Sequence, residues 1–241
     1  MSAPAVVYLP GMMCDARLWT PQTEALAYPA LHADATRADN FVDMAEQVLE
    51  AAPPQFALVG LSMGGILAFE IWRQARERVT HLALLDTNPH AEAPERQSLR
   101  LEQIDIALSG GLRTLAVESM KPLYLAESHR DDEALLNLLL DMALELGPDV
   151  FERQSIALRD RVDSATTLAT IDCPTLVLCG AEDKLCPVGY HRFMADAIAG
   201  ARLEVVDDCG HIATLEQPGA VTAALAALLE QPSARTTTGT P

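Results

Sequence analysis

Five short strand-like runs, each closed by a turn-forming or acidic residue, recur along this chain: "AVVYLP" (Ala5 to Pro10), "FALVGL" (Phe56 to Leu61), "HLALLD" (His81 to Asp86), "PTLVLCG" (Pro174 to Gly180) and "ARLEVVDD" (Ala201 to Asp208). A strand that is apolar without alternation must be covered on both faces, as central strands of parallel sheets are. Amphipathic helical patterns fall between the runs: "FVDMAEQVLEAA" from Phe41, "GGILAFEIWRQARERV" from Gly64, "PVGYHRFMADAIAG" from Pro187 and "EQPGAVTAALAALLEQ" from Glu216. The last carries Pro218 in its first turn and Val221, Leu225, Leu228 and Leu229 along one stripe. Strand and helix in this rhythm predict an α/β fold, a mostly parallel sheet with helices on both faces.

The rhythm breaks between about Asn88 and Thr170, where only helical patterns occur. In "DDEALLNLLLDMALELGP" the polar Asn137, Asp141 and Glu145 recur at i+4 and nearly every other position is Leu, Met or Ala. A helix with so narrow a polar stripe is covered over most of its surface, inside the core, as a roof on an apolar pocket or at a dimer interface. The expected organisation is a core domain built from residues 1–87 and 171–231, an inserted helical cap at 88–170, and a disordered tail at 232–241.

Composition limits the function classes. Acidic residues outnumber basic ones 34 to 17, and a formal net charge of -17 opposes any phosphate backbone or anionic lipid surface, so neither nucleic acid nor a membrane is an expected partner. No apolar run approaches the roughly 18 to 20 residues needed to cross a bilayer, and "MSAPAVVYLPGM" lacks the basic flank of a signal peptide, so a cytoplasmic protein is expected. Cys14, Cys173, Cys179, Cys186 and Cys209 are odd in number and form no C-x-x-C pair, which fits free thiols and no metal site. Cys14 and Cys186 are expected near the site mouth as accessible thiols.

Chemistry is concentrated at the strand ends. Gly60-Leu61-Ser62-Met63-Gly64 is a G-x-S-x-G motif that follows an apolar strand and opens a helix, the context of a strained turn projecting a serine above the sheet edge. Such a serine needs a histidine base and a carboxylate to orient it, in the order Ser, acid, His. "CGAEDKLCP" delivers Asp183 and "DDCGHIATLEQP" delivers His211, each just beyond a predicted strand, so the three converge at the carboxyl edge. Asp86, which ends "HLALLD", competes for the acid's role. Glu182 is expected to point away and Asp207 or Asp208 to end a strand, while His32, His81, His90, His129 and His191 read as surface or satisfied structural residues. In "LPGMMCDARLW" Gly11 permits a tight turn, and the N–H of Met12 with that of Met63 would form an oxyanion hole. The flexible Met12, Met13 and Met63 suit a small apolar acyl or alcohol group.

"GLSMGG", "GAEDKLCP" and "CGHIATLEQP" resemble the nucleophile elbow, acid loop and histidine loop of the α/β-hydrolase superfamily in its small capped serine esterase branch, and "DMAEQVLEAAP" is similar to the segment before the elbow in pimeloyl-ACP methyl ester esterases. The resemblance runs from about Val6 to Leu229 and is weakest in the cap. Two departures stand out. Pro10-Gly11 replaces the usual His-Gly of the oxyanion loop, and the chain starts at the oxyanion-loop strand, with "LHADATRADN" in place of the usual Asp-x-x-Gly-x-Gly segment. The resemblance therefore implies a compact α/β-hydrolase fold of about six strands without the family's N-terminal antiparallel strands.

The expected activity is cleavage of a carboxylic ester of a small, mainly apolar substrate through an acyl-enzyme, by Ser62, Asp183 and His211 with no cofactor. Thioesterases, lactonases, C–C hydrolases and cofactor-free haloperoxidases of the superfamily share these residues. A hydrolase-fold ligand receptor with little turnover is the alternative from another class.

Overall fold

A computed structural model of the chain, which describes residues 4–233, assembles the strands into one six-stranded sheet. They are β1 (Ala5–Leu9), β2 (Ala30–His32), β3 (Phe56–Leu61), β4 (Val79–Leu85), β5 (Thr175–Gly180) and β6 (Arg202–Val206). All neighbouring pairs are parallel, in the order β2-β1-β3-β4-β5-β6. Five are the runs expected from the sequence. The sixth, β2, is a three-residue edge strand whose residues are largely exposed, so no apolar run marks it. Of the tail expected at 232–241, positions 234–241 lie outside the described residues.

The longer helices are α1 (Phe41–Ala51), α2 (Met63–Ala75), α3 (Pro94–Ile106), α4 (Glu133–Leu146), α5 (Pro148–Arg159), α6 (Val188–Ala197) and α7 (Pro218–Leu229). Every residue of β3, β4 and β5 is buried, as their unbroken apolar sequences require. Successive side chains leave a strand on opposite faces. Val7, Leu9, Leu58, Leu84 and Val177 pack with Met44 of α1, Leu67 of α2 and Met194 of α6. Val6, Tyr8, Val59, Leu85 and Leu178 pack on the other face with Trp19 and with Leu225 and Leu228 of α7.

Residues between β4 and β5 contribute α3, α4 and α5, and Ile104, Leu112, Leu115, Ala143, Val150 and Phe151 form a small apolar cluster of their own that closes on Met13. α4 begins where the Asp132 carboxylate accepts the N–H groups of Ala134 and Leu135, and ends at Gly147 with φ 81. Of the places open to it, its leucine-rich face takes one in the core: Leu139 and Met142 are buried with the α7 side of the sheet, and Leu135 and Leu138 pack against that cluster. No helix among the described residues is long and apolar enough to cross a membrane.

Strand order locates the crevice. From β1 the chain runs outward to β2, and from β3 it runs the other way to β4, so the loops after β1 and β3 diverge at the switch point where parallel sheets hold their ligands. The start of α2 sits tightly in that gap: a Cβ on Gly64 would lie 2.2 Å from the Leu9 carbonyl oxygen, and one on Gly60 2.4 Å from the Gly64 oxygen. Both obstacles are backbone. Gly64→Ala is expected to lose about 3 kcal/mol or more of stability in urea unfolding, because α2 must move off β1. A loss below about 0.5 kcal/mol would show that the helix is free to shift.

Candidate active site

Ser62 sits between β3 and α2 at φ 56, ψ -115, a conformation that costs a non-glycine residue about 1 to 3 kcal/mol. Neighbours hold it there. Its N–H donates to the Leu85 oxygen at 2.9 Å, and its own carbonyl accepts the Thr87 hydroxyl at 2.7 Å. Thr87 is held in turn by His191, whose Nε2 accepts the Thr87 N–H at 2.9 Å. His191 is fully buried and neutral: burial is the main cause that brings its pKa from 6.5 down to about 4.

His211 reaches Ser62 Oγ with Nε2 at 2.9 Å and Asp183 Oδ2 with Nδ1 at 2.8 Å. The other Asp183 oxygen accepts the N–H groups of Leu185 and Cys186, both at 2.8 Å, so the carboxylate presents one edge to the imidazole. Burial works to raise the Asp183 pKa. The charge and hydrogen bond of His211, with the two backbone donors, outweigh burial and hold the carboxyl below its ordinary range.

Asp86, the competing acid, is fully buried at φ 45 and makes different contacts, accepting from Gly180 N–H at 2.9 Å and from Ala213 N–H at 3.3 Å. It ties β4 to β5 and to the histidine loop. Burial, then the neighbouring charge of Asp183, raise its pKa well above the carboxylate range, while the two N–H bonds oppose them. The two neighbouring carboxyls are thus shifted in opposite directions, Asp86 up and Asp183 down. Glu182 does point away, accepting the Glu127 N–H at 2.9 Å, and Asp208 bonds the Ser128 hydroxyl.

The loop after β1 turns through Gly11 to Cys14, whose N–H donates to the Gly11 oxygen at 3.2 Å, with Met13 at φ 56. Met12 N–H accordingly stands on one side of the switch-point crevice and Met63 N–H, in the first turn of α2, on the other. A side chain that sequence reading missed fixes this loop. Gln154 of α5, fully buried, accepts the Met13 N–H at 2.8 Å and donates to the Ala35 oxygen at 3.0 Å. Its signal was present, since Gln154 is polar on the apolar stripe made by Val150, Phe151 and Leu158.

Ser62 and His211 open on a cavity of about 150 Å³. Its wall is apolar at Leu61, Ile66, Leu123, Phe151, Leu158 and Ile212, and charged at Glu92, Arg96, Arg100 and Arg161. Of the three methionines expected to shape an apolar pocket, Met12 lines this cavity, Met13 lines a smaller void beside it, and Met63 is core. None of the leucines of α4 reaches the main cavity. Cys14 and Cys186 line it but are buried, not accessible, and burial pushes the Cys14 thiol up to about 12 and the Cys186 thiol higher still. Asp183, Cys186 and His211 bring donor atoms within 4.8 Å of one another. That set is unsuited to a metal ion, because Asp183 and His211 already bond each other and the thiol stays protonated.

A sequence profile described as the alpha/beta hydrolase family matches residues 6–225. The chain belongs to that family. Among its relatives, a pimeloyl-[acyl-carrier protein] methyl ester esterase of Aromatoleum aromaticum is 24% identical over 239 residues, covering 90% of this chain and 95% of the relative. The biotin biosynthesis bifunctional protein BioHC of Teredinibacter turnerae is 23% identical over 217 residues, 83% of this chain, and the match spans only 37% of that longer protein. Among solved structures, a thermophilic esterase from Thermogutta terrifontis is 27% identical with a TM-score of 0.87, covering 95% of this chain and 90% of its own. In this alpha/beta hydrolase, Gln154 supports the loop after β1 that carries Pro10-Gly11.

The two aspartates separate in a rate measurement on an activated ester. Asp183→Asn is expected to lower kcat roughly 10³- to 10⁴-fold by removing the acceptor that orients His211, and Asp86→Asn to lower it far less. Reversed effects would give the acid's place to Asp86.

The neutral state of His191 carries a pH signature. An unfolded histidine protonates near pH 6.5 and this one only near 4, so the unfolded chain binds the extra proton between those values and stability falls as pH drops through that window. From pH 7 to pH 4.5 the wild type is expected to lose about 2 to 3 kcal/mol more than His191→Phe, read by urea unfolding at both pH values. Equal losses would show that His191 is protonated in the folded chain.

Proposed function

We propose that this alpha/beta hydrolase is a serine hydrolase that cleaves a carboxylic ester of a small substrate through an acyl-enzyme intermediate. The observation that carries the reading is His211 standing within hydrogen-bond distance of both the Ser62 hydroxyl and the Asp183 carboxylate. Ser62 Oγ attacks the ester carbonyl as its proton passes to His211 Nε2, and the resulting imidazolium is stabilised by Asp183 at Nδ1. The tetrahedral oxyanion is received by the N–H groups of Met12 and Met63, with the start of α2 adding its positive dipole end. His211 returns the proton to the departing alcohol. A water molecule then repeats the sequence on the acyl-enzyme, releasing the acid and restoring the serine.

The mixed cavity wall supports an acyl or alcohol group that is small and apolar near Ile66, Leu158 and Ile212. We further place the protein in the cytoplasm: its five cysteines are buried free thiols, as a reducing compartment permits.

A screen of activated esters, thioesters and lactones tests the reading, with Ser62→Ala as control. The variant is expected to fold and to lose roughly 10³-fold or more of kcat, since the three residues act as a unit. A fluorophosphonate should label the wild type at Ser62. Labelling elsewhere with Ser62 untouched, or release of a single equivalent of product with no further turnover, would overturn the proposal.

A further inference from the structure

The polar half of the cavity wall is built from three guanidinium groups around one carboxylate. Glu92, the one acidic residue lining the cavity among the described residues, pairs with Arg100 at 2.6 Å, Arg161 at 2.9 Å and Arg96 at 3.7 Å. Arg96 is half exposed, so one positive charge remains in excess among the buried groups Glu92, Arg100 and Arg161, inside a chain whose net charge is -17. Burying an uncompensated cation is costly, so a cluster of this kind calls for a further anion.

The three arginines are not equivalent. Arg161 has its donors occupied: Nε bonds the His90 oxygen at 2.8 Å, Nη1 the Leu158 oxygen at 2.9 Å and Nη2 Glu92 at 3.3 Å. It braces α5 and the loop after β4 and needs no ligand. Arg100, on α3, gives Nε to Glu92 at 2.6 Å, which leaves both terminal nitrogens for other work. Among the described residues the only acceptor within hydrogen-bond distance of them is the thioether of Met12, 3.8 Å from Nη1 and a weak partner for a guanidinium. The Arg100 side chain is 13% exposed and lines the cavity. Burial is the largest cause that lowers the Arg100 pKa, with Arg161 and Arg96 adding like-charge repulsion against the attraction of Glu92. Arg96, half exposed, stands at the outer side of the same group.

We propose that Arg100, seconded by Arg96, is a carboxylate-binding subsite, and that the preferred substrate is an ester carrying a free carboxylate a few methylenes from the scissile carbonyl. The inference rests on the hydrolase reading above and sharpens its substrate class. The fork of Arg100 Nη1 and Nη2 matches a carboxylate's two oxygens. The reach is set by Met12: with its N–H in the oxyanion role proposed above and its sulfur touching Arg100, the two ends of the substrate are separated by about one methionine side chain and a 3.8 Å contact. A half-ester of a short dicarboxylic acid has this span. Its hydrolysis breaks the acyl carbon–oxygen bond, sends a proton to the alcohol and places the water oxygen in a second carboxylate, giving a dicarboxylate product.

The test compares monomethyl succinate, glutarate and adipate with the corresponding methyl ester amides, which keep the shape and lack the charge. The wild type is expected to favour at least one half-ester over its amide by about 10- to 100-fold in kcat/KM, carried mainly by KM, and Arg100→Gln to collapse that ratio by a similar factor. Arg96→Gln, at a half-exposed position, is expected to reduce the ratio less and serves should Arg100→Gln fail to fold. Binding of free glutarate to Ser62→Ala, followed by calorimetry, reads the subsite without any turnover and should weaken at least tenfold when Arg100→Gln is added. If activated neutral esters are turned over through Ser62 but the wild type shows no preference for any half-ester over its amide, the subsite is overturned and the hydrolase reading stands. If no ester is turned over but glutarate binds and depends on Arg100, the subsite stands and the reaction assignment falls.

Discussion

The contact on which the rest of this structure depends is the seating of the first turn of α2 between β1 and β3. A helix can start that close to two strands only if its first residues carry no Cβ on the side facing them. Gly64 meets the Leu9 carbonyl there and Gly60 meets Gly64. Gly65 gives the same freedom toward Thr87, whose side-chain atoms would lie 2.6 Å from an added Cβ. Seated this way, the chain must reverse within one residue, and that residue is Ser62 at φ 56. The strain is confined by bonds from Ser62 to Leu85 and Thr87, and by His191 behind Thr87. Position of the hydroxyl, direction of the helix dipole and width of the switch-point crevice all follow from one close approach of backbones.

Most of that arrangement was legible in the sequence because it rests on local signals. Apolar runs without alternation mark β3, β4 and β5, and glycines flanking a serine at a strand-to-helix boundary mark the elbow. Ser62, Asp183 and His211 come together from three strand ends, as their order in the chain and the parallel sheet imply. The sequence favoured Asp183 but kept Asp86 as a competitor, since both follow strands; the groups each one meets in the fold distinguish them. β2 was illegible because an exposed edge strand of three residues needs no apolar pattern. The leucine-rich α4 signalled burial correctly, but burial alone does not say whether the covering layer is core or substrate.

Long-range polar partners form the second group that local signals miss. Glu92, Arg96 and Arg100 recur at i+4, but Arg161 comes from the far end of the inserted region, and only tertiary packing places it on the same wall. A net charge of -17 averages over the whole chain and hides a cavity that is locally positive. Whole-chain charge therefore argues about long-range partners such as nucleic acid, whereas a ligand that enters the cavity meets groups a few ångströms away under weak screening.

The histidine loop shows that the segment between β4 and β5 is mechanically tied to the Ser62, His211 and Asp183 arrangement. His211 N–H donates to the Tyr124 oxygen at 2.6 Å, and the Tyr124 ring stacks over the imidazole with centroids 6.2 Å apart. Beneath them the buried Glu216 carboxylate collects the N–H groups of Gly210 at 2.9 Å, Ala126 at 2.7 Å and Ile212 at 3.3 Å, so one side chain clamps both the loop that bears His211 and the stretch that follows Tyr124. Gly210 has no room for a Cβ, which would lie 2.5 Å from the Tyr124 oxygen. A stretch tied this closely cannot swing away as a loose lid without carrying His211 off Ser62. α3, which bears Arg96 and Arg100, has no such bond to the histidine loop among the described residues. That part of the cavity wall can therefore vary while the 2.8 and 2.9 Å contacts of His211 stay fixed.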